Sequence, residues 1–269
     1  MITILPVPCL HDNYAYLLTD PGSEEAAVVD ASEAAPVLAA LGNRRLAAVL
    51  STHHHYDHVG GNAELHTRFP DAPVYAHRGD LAPGGKGRVP AQRVGLDDGE
   101  EFQLLGRRVQ ALHIPGHTLT AVAYYFPLDG LLLTGDTLFG AGCGRLFEGT
   151  PAQMHASLQR LAALPAAVRV YCGHEYTQKN LAFAASVEPD NAAVKARSEA
   201  VAQKRAAGEP SVPSTLQEEL QTNPFLRARH ASVRAAAERR PQVGEPLSGS
   251  TAGSEVEVFA RIRRWRDEF

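Results

Sequence analysis

A chain of 269 residues, 44% hydrophobic and 21% charged, is long enough to bury a large core and to carry one big domain with an appendage. A net charge of −4 and a pI near 6.3 provide no basic footprint for nucleic acid or an anionic membrane, and no apolar run approaches the roughly 18 residues a membrane span needs. Cys9, Cys143 and Cys172 form no C-x-x-C pair and are odd in number, and residues 1–6 have neither a basic nor a long apolar stretch; a cytoplasmic protein without a disulfide framework is expected.

In chain order, residues 1–7, 14–19 and 26–30 read as short strands separated by the turn signals His11-Asp12-Asn13 and Asp20-Pro21-Gly22. Ser32 is placed to cap a helix over 34–41, and a strand over 46–50 leads into a His-rich loop. A helix over 62–69, a strand over 74–76 and a Gly/Pro-rich surface loop at 82–87 follow, the loop lacking a complete phosphate-binding pattern. Strands are then expected over 102–105, 109–114, 121–126, 131–133 and 168–172. Beyond residue 177 the texture becomes Ala-rich and helical, with helices over 178–187, 191–207 and 215–220 and a Pro/Gly/Ser-rich linker over 240–254. The last helix, over 255–269, aligns Val258, Ile262, Trp265 and Phe269 on one stripe, with Arg263 and Arg266 together on one flank and Arg261 and Arg264 on the other.

The densest chemistry lies in Ser51-Thr52-His53-His54-His55-Tyr56-Asp57-His58-Val59-Gly60-Gly61, where four imidazoles and a carboxylate fall within six residues. Imidazole and carboxylate together suit zinc, iron and other first-row ions. In an extended turn His53 and His55 project to one side and His54 points away, while Asp57 and His58, at the start of a helix, fan out by about 100° and reach toward a second ion. A solvated His-rich tract would lack the intercalated aspartate, the strand before it and Gly60-Gly61 after it. Three further polar outposts sit beside glycines just past expected strands: His117 in Pro115-Gly116-His117-Thr118, Asp136 in Thr134-Gly135-Asp136-Thr137, and His174 in Gly173-His174-Glu175-Tyr176.

A T-H-x-H-x-D-H run followed by G-H-T, G-D-T and G-H at these separations resembles the metallo-β-lactamase superfamily. More closely, the segments Gly142-Cys143-Gly144-Arg145-Leu146-Phe147-Glu148, Tyr171-Cys172-Gly173-His174-Glu175-Tyr176, Val187-Glu188-Pro189-Asp190-Asn191 and Thr222-Asn223-Pro224-Phe225-Leu226-Arg227 resemble the hydroxyacylglutathione hydrolases, the glyoxalase II family, over essentially the whole chain. That resemblance implies an α/β fold, a four-layer αββα sandwich over residues 1–174 followed by a C-terminal α-helical substrate-binding domain over 175–269. It implies two divalent ions, zinc foremost with iron or manganese as alternatives. His53, His55 and His117 would hold one, Asp57, His58 and His174 the other, with Asp136 bridging.

The activity implied is hydrolysis of S-D-lactoylglutathione and related 2-hydroxyacyl thioesters to glutathione and D-lactate by a metal-bridging hydroxide, the second step of methylglyoxal detoxification. Asp57, His58 and Asp136 would be catalytic, and Arg145, Phe147, His174, Tyr176, Arg263 and Arg266 would meet the substrate. Arg145 and Arg266 stand where the family usually has lysine, and Phe147 where tyrosine is common. The expected partner is a small glutathione thioester, with no nucleic acid or membrane and with the chain acting as a monomer. Other enzymes of the superfamily, such as a persulfide dioxygenase, a lactonase, a β-lactamase or a nuclease, share this ligand set. A non-catalytic metal-binding module is the reading from another class. Cys143 as an activated nucleophile is redundant beside a metal hydroxide.

Overall fold

The computed structural model describes residues 1–81, 88–239 and 253–269; the surface loop expected at 82–87 and residues 240–252 of the expected linker lie outside these. The N-terminal half builds a six-stranded sheet whose spatial order follows the chain: β1 (Thr3–Cys9), β2 (Asn13–Thr19), β3 (Glu25–Val29), β4 (Arg45–Leu50), β5 (Val74–His77) and β6 (Gln92–Leu96). The first three strands pair antiparallel and the pairs from β3 to β6 are parallel. Parallel neighbours need crossovers, supplied by α1 (Ala34–Leu41) and by α2 (Tyr56–Val59) with α3 (Asn62–Arg68). β1 runs on to Cys9 through Pro6 and Pro8, which it tolerates because it is an edge strand.

The second sheet comprises β7 (Glu101–Leu104), β8 (Arg107–His113), β9 (Val122–Phe126), β10 (Leu131–Gly135), β13 (Arg169–Cys172) and β14 (Ser214–Thr215), in the order β14-β13-β10-β9-β8-β7. A small hairpin of β11 (Leu138–Phe139) and β12 (Gly142–Cys143) and the helix α4 (Pro151–Ala162) separate β10 from β13. The remaining helices are α5 (Thr177–Val187), α6 (Ala192–Ala206), α7 (Leu216–Thr222), α8 (Ala231–Arg239) and α9 (Glu255–Glu268).

Three hydrophobic cores define four layers. Val37, Leu41 and Leu65 pack helices on the outer face of the first sheet. Tyr16, Leu50, Tyr124, Phe126 and Leu133 fill the space between the sheets. Met154, Leu158, Val233, Val258, Phe259 and Ile262 pack α4, α8 and α9 on the outer face of the second. β2 and β9 are therefore covered on both faces and read as near-continuous apolar runs, not as alternation. This is the expected αββα sandwich with a helical C-terminal region, and that region also contributes β14 to the second sheet, antiparallel to β13. Among the described residues no helix is long and apolar enough to cross a membrane.

Several local features depart from the sequence reading. Ser32 does not cap α1; Glu33 occupies the N-cap, its side chain making no capping hydrogen bond and accepting instead from Leu10 N at 2.7 Å, and the Ser32 hydroxyl turns toward the Asp30 carbonyl. β6, the β11–β12 hairpin, α4 and α8 were not among the expected elements. The start of α4 is nonetheless written in the chain: Thr150 and Gln153 form a reciprocal capping box and Pro151 holds the first turn. On α9, Val258 and Ile262 are buried as expected, but Phe259 joins them and Phe269 is 58% exposed.

Candidate active site

The site lies where β4, β8, β10 and β13 end. Past β4, the Thr52 amide and hydroxyl both donate to the Asp30 carboxylate at 2.7 Å, and the Thr52 carbonyl accepts from Val122 N, stitching the first sheet to the second. Gly61 packs against the backbone of Ala31 to Ala34, where a Cβ would meet atoms under 3 Å away, so the two glycines let α2 and α3 lie tightly beneath the loop. Gly173 is required differently: a Cβ there would collide with the Asp136 carboxylate and the His58 ring.

The structure brings together all seven residues singled out as ligand candidates. Their donor atoms form three overlapping groups, His53–His55–His117, His53–His58–Asp136 and Asp57–His58–His174, each with atoms within 4.8 Å of one another. Asp136 stands between the ends: its Oδ2 is 3.6 Å from His117 Nε2 and 3.2 Å from His174 Nε2, and its Oδ1 is 3.3 Å from His58 Nε2. Asp57 Oδ2 lies 3.4 Å from His174 Nε2, and His55 Nδ1 lies 3.0 Å from His117 Nε2. Donors about 2.0–2.1 Å from a tetrahedral ion stand about 3.3 Å apart, so these separations are those of coordination edges.

Four of the imidazoles are oriented from behind. His58 Nδ1 donates to Asp30 Oδ2 at 3.0 Å, His174 Nδ1 to Asp12 Oδ1 at 2.9 Å, and His117 Nδ1 to the Arg145 carbonyl at 2.8 Å. The Thr52 hydroxyl spends its proton on Asp30, so His53 Nδ1, 3.1 Å away, donates to Thr52 Oγ1. Each ring thus turns Nε2 inward, the arrangement in which an outer acceptor fixes tautomer and direction. Asn13 likewise donates to Asp57 Oδ2 at 3.1 Å. Among the described residues, buried His53 Nε2 has no hydrogen-bond partner, and buried His58 Nε2 and Asp136 Oδ1 make no hydrogen bond and face each other as an ion pair at 3.3 Å, a cost that cations at these positions would remove.

Electrostatics split the cluster: burial lowers the pKa of His53 and His117, leaving neutral imidazoles, whereas the Asp57–His58–His174 end with Asp136 favours positive charge. Burial opposes a charged His58, but Asp136 and Asp30 overcome it and lift its pKa to about 10. Burial also opposes a charged His174, which Asp136 and Asp57 lift to about 12. Against the same desolvation, His58 and His174 hold Asp136 well below the usual carboxylate range. Protons and divalent cations would compete for the same inward positions, and the donor set fits two divalent ions.

Above the cluster opens a cavity of about 810 Å³, lined by Arg145, Phe147, Tyr176, Arg263 and Arg266 among others. Phe147 is 63% exposed, its ring 5.5 Å from His55 and 5.2 Å from His117. Tyr176 stacks on His174 at 4.7 Å and 6°. Arg145 is exposed and faces Asp267 at 3.4 Å. Arg263 is not on a solvated flank: only 5% exposed, it donates to the Cys143 carbonyl at 2.8 Å and to Asp267 at 2.9 Å and lies over the Phe225 ring. Arg266 donates to Asn180 Oδ1 at 3.3 Å. His54 faces away from the cluster, toward Asp80 and Glu148. Burial pushes the Cys143 thiol up to about 11 although Arg263 lies 3.7 Å away.

Sequence reasoning passed over Asp30, Asp12 and Asn13, all of which hold ligand candidates in place, and Lys179, which lines the cavity. A faint signal existed for Asp30: an aspartate closing an apolar strand just before a turn, here in the left-handed region at φ 53, which aspartate tolerates better than most residues.

Residues 11–174 match the model of the Metallo-beta-lactamase superfamily, and residues 175–269 that of the Hydroxyacylglutathione hydrolase C-terminus. The chain is 49% identical to a hydroxyacylglutathione hydrolase of Pseudomonas aeruginosa (strain LESB58) over 273 residues, covering 100% of both chains. It is 50% identical to one from Methylococcus capsulatus over 271 residues, covering 100% of this chain and 99% of the relative. Among solved structures it is similar in fold to ETHE1 from Myxococcus xanthus, with a TM-score of 0.64 at 23% identity, covering 98% of this chain and 90% of that one. With full-length identity near one half, the chain belongs to the hydroxyacylglutathione hydrolase family of the metallo-β-lactamase superfamily.

Proposed function

We propose that the chain hydrolyses S-D-lactoylglutathione and other S-(2-hydroxyacyl)glutathiones to glutathione and the free 2-hydroxy acid. The observation that carries this reading is the convergence of His53 Nε2, His58 Nε2 and Asp136 Oδ1, buried without hydrogen bonds, beneath a cavity walled by Arg145, Arg263 and Arg266. In it, His53, His55 and His117 hold one divalent ion, Asp57, His58 and His174 hold a second, and Asp136 serves both, with zinc as the expected metal and iron or manganese as substitutes. Two such ions supply a water ionised near neutral pH and polarise the thioester carbonyl.

The chain's own contribution is orientation and charge. Asp30, Asp12, Thr52 and the Arg145 carbonyl aim the imidazoles, so little reorganisation is left for the reaction itself. Arg145, Arg263 and Arg266 meet the glycine carboxylate of the substrate, remote from the scissile bond, Tyr176 covers the His174 side of the cavity, and Phe147 offers an apolar face but no hydroxyl donor. The departing thiolate, with a reference pKa near 8.5, leaves without a dedicated acid. Cys143 is no nucleophile, because its thiol stays protonated far above neutral pH.

The charge balance provides no basic footprint for nucleic acid, and the three free cysteines support a cytoplasmic setting; the chain is taken to act as a monomer on a small glutathione thioester. Turnover of S-D-lactoylglutathione by purified protein, with metal analysis of the same sample, tests the reading. Hydrolysis with about two ions per chain is expected. A sample that carries its full metal complement and leaves the thioester intact would overturn it.

A further inference from the structure

Glutathione carries carboxylates at both ends, and the arginines account for one. Arg145 and Arg263 share Asp267, and Arg266 leans on Asn180 in the first turn of α5. The preceding residue, Lys179, points about 100° away around the helix; it is exposed, and it has no carboxylate partner among the described residues. Its ammonium lies 6.0 Å over the Tyr176 ring, which stacks on His174 at 4.7 Å. Those two contacts keep the ammonium within roughly 11 Å of the His174 ring. From the sulfur of glutathione, the γ-glutamyl α-carboxylate reaches about 10 Å at full extension, so a thioester anchored at the ligand cluster spans the gap.

A second cavity, of about 410 Å³, adjoins the first, and Asp12 and Lys179 line both. Glu175, which also lines it, is already committed to Tyr14, Ser211 and Arg205. Asp12 is not: Oδ1 receives His174, while among the described residues Oδ2 has only the loose neighbour His11 Nδ1 at 3.4 Å, on a side chain 95% exposed. The junction therefore presents one unpaired ammonium and one under-used carboxylate oxygen, complementary to an α-amino-acid zwitterion.

We propose that this junction is a subsite for the α-amino-acid end of a γ-glutamyl group, its carboxylate on Lys179 and its ammonium on Asp12. The proposal rests on the functional reading above and deepens it: the first turn of α5 divides the two ends of the substrate, Asn180 with Arg266 on one side and Lys179 on the other. Lys179 selects for the γ-glutamyl group and takes no part in the bond cleavage.

The test compares two thioesters, S-D-lactoylglutathione and S-D-lactoyl-N-acetylcysteinylglycine. The second keeps the glycine carboxylate, lacks the γ-glutamyl group, and has its amine blocked against acyl migration. Lys179→Met is expected to raise KM for the glutathione thioester roughly three- to five-fold, the size of a half-exposed charge pair, with kcat unchanged. KM for the truncated thioester should be the same in both proteins, and Lys179→Arg should restore most of the loss. Equal KM values for the glutathione thioester in wild type and Lys179→Met, or an equal rise for both substrates, would overturn the subsite while leaving the activity in place. A wild-type chain that hydrolyses neither thioester would instead overturn the functional reading, and the subsite with it.

Discussion

The ligand cluster and the arginine face of α9 border the same cavity, yet they are held in opposite ways. In the cluster every orienting group is short and rigid: Asp30, Asp12 and Thr52 each reach one ring nitrogen across a single hydrogen bond. On α9 the cations sit on long side chains, steadied by a main-chain carbonyl, an amide and two aromatic faces. Reacting atoms need fixed geometry, because small misplacements are costly there, whereas a carboxylate far from the bond tolerates slack. Damage to the cluster should therefore appear in metal content and kcat, and damage to α9 in KM.

The largest effect is expected at Asp136. Removing the carboxylate that stands between both groups should lower metal content and cut kcat by more than roughly a hundred-fold in Asp136→Ala. Wild-type metal stoichiometry in that variant would end the bridging role. Next comes Asp30→Asn, which keeps shape and tolerates the left-handed backbone but removes the charge that orients His58. Metal affinity should fall roughly 10- to 100-fold with the circular dichroism spectrum unchanged. Unaltered metal binding would mean that orientation from behind matters less in the cluster than its geometry indicates.

A smaller effect, and a sharper test of the contrast, comes from α9. Arg266→Ala should raise KM for the glutathione thioester roughly ten-fold, from the loss of one charge-assisted contact of about 1.5 kcal/mol, and leave metal content alone. Arg263→Ala would mix two effects, since a buried guanidinium also satisfies the Cys143 carbonyl; a lower Tm, from a loss of about 2–3 kcal/mol, should accompany its rise in KM. The clean control is Arg264→Ala, which alters an exposed residue, whereas Arg261 already pairs with Glu257. A KM rise in Arg264→Ala equal to that in Arg266→Ala would remove the assignment to α9's cavity side.

The same contrast explains what could be read from the chain. His53, His55, Asp57 and His58 lie within six residues, so local geometry alone groups them, and glycines beside His117, Asp136 and His174 mark where strands end. Their orienting partners come from elsewhere: Asp12 is 162 residues from His174, and Asp30 is 28 from His58. Such pairings depend on which strands neighbour each other, information that spacing does not carry. Arg263 shows the limit on the helical side. Helical periodicity put it on a flank of the stripe, but Cys143, 120 residues away, supplies a carbonyl that draws it inside. α4 differs again, since its start is legible locally, in the Thr150–Gln153 capping box and Pro151.

The smallest expected effect is at Cys143, and it tests whether proximity to both regions confers a role. Its thiol lines the cavity and lies 3.7 Å from Arg263, a setting that in an exposed cysteine would favour thiolate. Burial prevails, and with a pKa of about 11 only about one thiol in ten thousand is ionised at pH 7. Alanine preserves the carbonyl that Arg263 uses and removes one sulfur from a packed position. Cys143→Ala should therefore retain kcat and KM within about two-fold and lose about 1 kcal/mol of stability. In the wild type, alkylation should be slow at neutral pH and quicken about ten-fold per pH unit below that pKa. A ten-fold loss of kcat in Cys143→Ala, or an acyl adduct on the intact chain during turnover, would place the thiol in the reaction after all.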